Sequence, residues 1–108
     1  MNRRTFLGLA SLAMAAVHPV FAQKEPRYGA PGSGHFVQEN RENGKFIVLE
    51  DKSVWEIDAR NHHVTSQWHQ YDAIAVRFQE TAEPPFQYGL TNEDKDEGAS
   101  ARWVRPQH

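Results

Sequence analysis

The sequence predicts an all-β domain, a small barrel or rolled sheet of five or six strands. Three observations carry that expectation. Short runs of β-branched and aromatic residues recur at spacings of about ten residues, with turn-forming residues between them. The clearest run, DAIAVRF (72–78), puts Ile74, Val76 and Phe78 on one face and Ala73, Ala75 and Arg77 on the other, the period of a half-buried strand. Beyond residue 22, no stretch has the pattern of an amphipathic helix of three turns.

Taken in order, HFVQEN (35–40) is the first strand, followed by a turn that ends in Asn43-Gly44. KFIVLE (45–50) is a compact apolar run, and SVWEID (53–58) follows after Asp51-Lys52, a two-residue connection that reads as a hairpin. A type I′ turn needs positive φ at both central residues, which Lys52 tolerates poorly, so the spacing leaves the turn type open. ARNHHVTSQWHQ (59–70) loses the alternation and reads as a loop with one helical turn carrying Val64 and Trp68. After DAIAVRF, Pro84-Pro85 closes a connection and FQYGLT (86–91) is the next strand. NEDKDEG (92–98) is a charged turn, and ASARWVR (99–105) is the last strand before Pro106.

Residues 1–22 read as a removable signal peptide: Arg3 and Arg4 are a positive n-region, Phe6 to Val17 an apolar run, and Val20-Phe21-Ala22 a cleavage signal after Ala22. The apolar run is well short of the ~20 residues of a membrane-spanning helix. Its NRRTFLG start resembles a twin-arginine signal in Arg3, Arg4, Phe6 and Leu7 and departs from it at Asn2 and Gly8. A Sec signal with an arginine pair is the other reading. No cysteine follows for lipidation, so the expected location is periplasmic or secreted, with no membrane span in the mature protein. Residues 23–34, rich in glycine and proline, read as a flexible leader to a barrel domain over 35–105.

Removing Arg3 and Arg4 leaves ten basic against fourteen acidic residues, a net charge of −4, which disfavours nucleic acid and anionic membrane surfaces. With no cysteine, disulfides and thiolate metal sites are excluded, and the core must rest on apolar burial alone. Trp55 and Trp68 read as core residues for that reason, while Trp103, beside Arg102 and near Arg105, is the candidate exposed aromatic.

Several motifs fail on chemistry. GAPGSGH (29–35) has two phosphate-loop glycines, but His35 stands where lysine is needed. Counted from Asn92, a calcium loop would need Gly at Glu97 and Glu at Trp103. No serine lies in a nucleophile elbow. Asp72 reads as a strand-start residue that accepts backbone hydrogen bonds. His62, His63 and His69, with Asp58, are the candidate metal ligands, of types suited to zinc or copper. Against them, neighbouring histidines in a strand point to opposite faces, and Asn61 with Thr65-Ser66 indicates loop.

Around EDKSVWEID (50–58), and over residues 35 to about 105, the chain resembles a group of small exported bacterial proteins of unassigned function, whose pattern approximates I-x-L-x-D-x-S-x-W-x-I, a second Trp, D-x-I-x-V and L-x-N. The matching residues are Ile47, Leu49, Asp51, Ser53, Trp55, Ile57, Trp68, Asp72, Ile74, Val76, Leu90 and Asn92. Lys52 departs from the glycine usual there. The resemblance implies a barrel of the SH3-like or OB-like kind and carries no activity.

The expected function is therefore a non-enzymatic binding or accessory module of the periplasm without a cofactor. Its partner would be an envelope protein or cell-envelope ligand, met through Tyr71, Tyr88 and Trp103. The rival expectation is a periplasmic metal-binding protein using His62, His63 and His69. Replacing Arg3 and Arg4 by lysine should abolish export through a twin-arginine route, read as loss of the protein from the periplasmic fraction; continued export identifies a Sec signal.

Overall fold

A computed structural model of the chain describes residues 27–105, so the signal segment expected at 1–22 lies outside the described residues. Six strands form a closed antiparallel barrel: β1 (His35–Arg41), β2 (Phe46–Leu49), β3 (Val54–Ile57), β4 (Ala73–Phe78), β5 (Tyr88–Asn92) and β6 (Glu97–Val104). Around the barrel the order is β1-β2-β3-β6-β5-β4, and β4 closes back on β1. Two three-stranded meanders thus face each other, joined by residues 58–72. That joint holds a 3₁₀ turn (Ala59–Asn61) and one turn of α-helix, α1 (His62–Thr65), the helical turn expected there. No helix among the described residues is long and apolar enough to cross a membrane.

Alternation decides what lies inside. Val37, Ile47, Leu49, Trp55, Ile57, Ile74, Val76, Tyr88 and Leu90 form one buried cluster with Ala99, Ala101 and Trp68. The alanines on β6 are the reason large side chains fit opposite them: Ala101 lies across from both Ile57 and Tyr88, and Ala99 across from Leu90. Both buried indoles have acceptors, Trp55 Nε1 donating to Ser53 Oγ at 2.9 Å and Trp68 Nε1 to Glu97 Oε1 at 2.9 Å. A buried Trp is worth about 3–5 kcal/mol against truncation to Ala, a large share in a domain with no disulfide.

The turns follow residue chemistry closely. Asn43 and Gly44 both have positive φ (56° and 88°) and Lys45 N donates to Glu42 O, the pattern of a type I′ turn. Gly44 is required twice over. A Cβ there would stand 2.4 Å from Ser66 N and 2.5 Å from Thr65 Oγ1, which itself donates to Gly44 O at 2.7 Å. Asn40 completes the joint, accepting from Gly44 N and donating to the carbonyls of Thr65 and Trp68. The β2–β3 connection is not a two-residue turn: Lys52 N donates to Leu49 O, and Leu49 N to Ser53 O. Lys52 alone in that turn has positive φ, 72°. A three-residue loop with one left-handed residue needs only one such φ, which resolves the difficulty Lys52 posed for type I′.

Residues 27–34 carry no strand or helix but are tied to the barrel. Gly32 O accepts from Val76 N at 2.7 Å, extending the short β1–β4 seam, and a Cβ on Gly32 would lie 2.5 Å from Val76 O.

Gly44→Ala should destabilise the domain by about 2–4 kcal/mol, combining left-handed strain with a steric clash, as read by urea unfolding. Lys52→Gly should stabilise it by about 0.5 kcal/mol, a rise in Tm of ~2–4 °C by calorimetry.

Candidate functional site

The densest polar and aromatic assembly among the described residues lies at one mouth of the barrel, where Tyr28 crosses it. Its ring meets Trp55 edge-on at 5.0 Å and Trp103 at 5.6 Å, while Trp55 meets Tyr88 at 5.1 Å. Tyr28 N donates to Tyr88 Oη at 2.9 Å. The Tyr28 hydroxyl donates to Asp51 Oδ2, and Asp51 Oδ1 accepts from both Ser53 N and Ser53 Oγ. Since Ser53 Oγ also receives the Trp55 indole N–H, a continuous path of hydrogen bonds runs from the buried core to the Asp51 carboxylate.

Next to this path, buried His35 has an acceptor at each ring nitrogen. Nδ1 is 2.8 Å from Glu50 Oε2 and Nε2 is 2.6 Å from Pro31 O. A carbonyl oxygen only accepts and a carboxylate accepts, so the geometry satisfies both ring nitrogens only when both donate, that is, when the imidazole is protonated. Burial opposes that charge, but the Pro31 carbonyl and Glu50 outweigh it and raise the His35 pKa above the ordinary 6.5. For Tyr28, burial and the bond to Asp51 push the phenol well above its ordinary range. Burial pushes Asp51 up, yet the hydrogen bonds from Ser53 and Tyr28 prevail and hold it below 3.8.

His35, Glu50 and Asp51 are the only three His or carboxylate groups among the described residues with ligand atoms within 4.8 Å of one another. As a metal site the set fits poorly, because both imidazole nitrogens already face hydrogen-bond acceptors, Pro31 O and Glu50 Oε2. His62, His63 and His69 are not brought together with Asp58 as a group of that kind. His62 Nε2 is turned inward to Ile57 O at 2.9 Å, whereas His63 and His69 are exposed. Asp58 is occupied by Arg60, whose backbone and side chain both bond to it. The physical reason is the helical turn, which separates the pair His62 and His63 and leaves His69 in the following turn.

The three residues expected to share a contact face are also divided. Tyr88 is buried, 9 % exposed, because its position on β5 points inward beside Leu90. Trp103 pairs with Trp55 across β3 and β6 and is half-buried beneath Tyr28. Only Tyr71 is open, 68 % exposed, with its ring 5.7 Å from Phe36. Tyr28, Phe36 and His35 escaped sequence reasoning. Each takes its surroundings from a residue 15 or more positions further along the chain, Asp51 for Tyr28, Tyr71 for Phe36 and Glu50 for His35, and no spacing rule announces such pairs.

Elsewhere, an open trough of about 320 Å³ on the outer face of β4–β6 is lined by Arg77, Gln79, Thr91 and Ser100 among others, with no aromatic. The residues of the sequence pattern all do structural work. Its apolar members are core, while Asp51, Ser53, Asp72 and Asn92 fasten turns. Asp72 Oδ2 accepts from His69 N and Asn92 Nδ2, as a strand-start residue should. No protein-family model, curated protein or solved structure matches this chain.

Asp51, Asp58 and Asp72 all have pKa values held below 3.8 in the fold. For Asp58 the main cause is the Arg60 side chain; for Asp72, burial acts upward and is overcome by bonds from His69 N and Asn92. Their contribution to stability is present above the unfolded value and is lost as pH falls through the folded ones. Chemical unfolding between pH 2 and 6 should therefore show stability declining below about pH 4. Asp51→Asn should flatten part of that decline.

Proposed function

We propose that the protein is an exported, non-enzymatic binding module that engages a protein partner in the cell envelope through Tyr71 and the Phe36 ring beside it. The carrying observation is Tyr71 itself. It is the large hydrophobic residue left exposed among those described, and its backbone is left-handed at φ 74°. That conformation costs a non-glycine residue about 1–2 kcal/mol. It is kept by Tyr71 N donating to Val37 O at 2.7 Å and Asp72 N to His69 O at 3.1 Å. Strain at an exposed aromatic points to a role outside folding. Tyrosine suits a protein contact, offering a large apolar ring with a hydroxyl at its rim.

Export is supported by the reading of residues 1–22, and the mature charge of −4 favours a partner other than nucleic acid. Tyr88 and Trp103, placed inward by the strand register, serve the fold in this reading.

A photo-crosslinking residue at position 71 should give one discrete protein adduct in cells, and the same residue at exposed Thr91 should not. Equal labelling at both positions would overturn the proposal, and an adduct to non-protein envelope material would reassign the partner. Tyr71→Asn should change stability by less than ~1 kcal/mol, since Asn tolerates the left-handed region, yet abolish co-purification of the crosslinked protein. Trp103→Ala should instead cost about 2–4 kcal/mol by denaturant unfolding.

A further inference from the structure

Residues 27–34 are held across the barrel mouth by contacts of different pH sensitivity. The Arg27 guanidinium lies 3.8 Å from the centre of the Phe78 ring, Tyr28 packs on Trp55 and Trp103, and Gly32 O takes the Val76 amide. One further contact depends on a titratable proton: His35 Nε2 donating to Pro31 O at 2.6 Å. Nδ1 on the same ring donates to Glu50 Oε2 at 2.8 Å.

The geometry points to a pH-operated strap: residues 27–34 lie docked over the barrel mouth while His35 is an imidazolium, and lift from it when His35 loses its proton, uncovering Trp103 and Phe78. A neutral imidazole has a single N–H, so one nitrogen must then face an acceptor with its lone pair at a distance of 2.6 or 2.8 Å. Of the two acceptors, Glu50 is the anchored one, because its Oε1 accepts from Phe36 N at 3.0 Å inside the barrel wall. Pro31 is exposed and in a segment without regular structure, so the strap is the part that yields.

The titratable groups facing His35 are Glu50 and Asp51 from the β2–β3 loop and Tyr28 from the strap. Asp51 is held ionised and Tyr28 neutral between pH 5 and 9, so neither reverses the effect of His35 in that window. With the folded pKa of His35 raised, the docking contribution is fully present below 6.5 and is lost as pH rises through the folded value. This device is independent of the Tyr71 contact, which lies on the outside of the barrel.

Two amides report docking directly, Tyr28 N bonded to Tyr88 Oη and Val76 N bonded to Gly32 O. Their hydrogen exchange, corrected for intrinsic rate, should be followed from pH 5 to 9 alongside the His35 ring resonances. Protection at both amides should fall over the same pH range as the imidazole titration, by about tenfold for each unit by which docking itself raises the His35 pKa. Glu50→Gln preserves an acceptor for Phe36 N and should move both midpoints to lower pH together. His35→Gln should leave protection flat across the range. Protection that stays constant while the imidazole titrates would overturn the strap, as would midpoints that separate in Glu50→Gln. If His35→Gln does not fold, the Glu50→Gln comparison decides alone.

Discussion

Burial of the Trp55 indole organises this domain more than any other interaction. The ring is fully enclosed, lies opposite Ile47 on one side and Trp103 on the other, and meets Tyr28 and Tyr88 edge-on. Its one polar atom must be satisfied inside the fold, because an unpaired buried N–H costs about 1–3 kcal/mol. Ser53 supplies the acceptor, and Ser53 is in turn oriented by Asp51. Asp51 then takes the Tyr28 hydroxyl. A core requirement is thereby passed outward, residue by residue, to the segment that crosses the barrel mouth.

The other constraint is closure. Six short strands leave no free edge only if β1 meets β4, and that seam has two paired positions, His35 with Ile74 and Phe36 with Ala73. Gly32 lengthens it through Val76, where the backbones approach too closely for any side chain. The seam is the thinnest part of the wall and adjoins the His35–Glu50 pair.

The same separation applies to the aromatics. Trp55, Phe78, Tyr88 and Trp103 face inward or under Tyr28 because the register directs them there, and they contribute to packing. Tyr71 stands in a turn, where register imposes nothing, and its ring is left to solvent in a backbone conformation that folding alone does not favour.

The all-β class, the six strands and the lone helical turn were legible in the sequence, because period-two alternation and turn residues act locally. Asn43-Gly44 announced its turn by conformational preference, and Trp55 and Trp68 announced themselves as core in a chain without disulfides. The wiring was not legible. Whether β3 pairs with β6, and β1 with β4, depends on contacts between residues 37 or more positions apart along the sequence, which no local pattern encodes. For that reason Tyr88 looked available as a contact and proved to be interior, and His62, His63 and His69 looked like a ligand set that the helical turn does not assemble. His35, taken only as a failed phosphate-loop lysine, acquired its importance from Glu50 and Pro31. Sequence alone determined the elements, through local backbone preference and side-chain periodicity; tertiary structure alone decided the mouth of the barrel, because charge pairing and burial exist only once distant strands have closed.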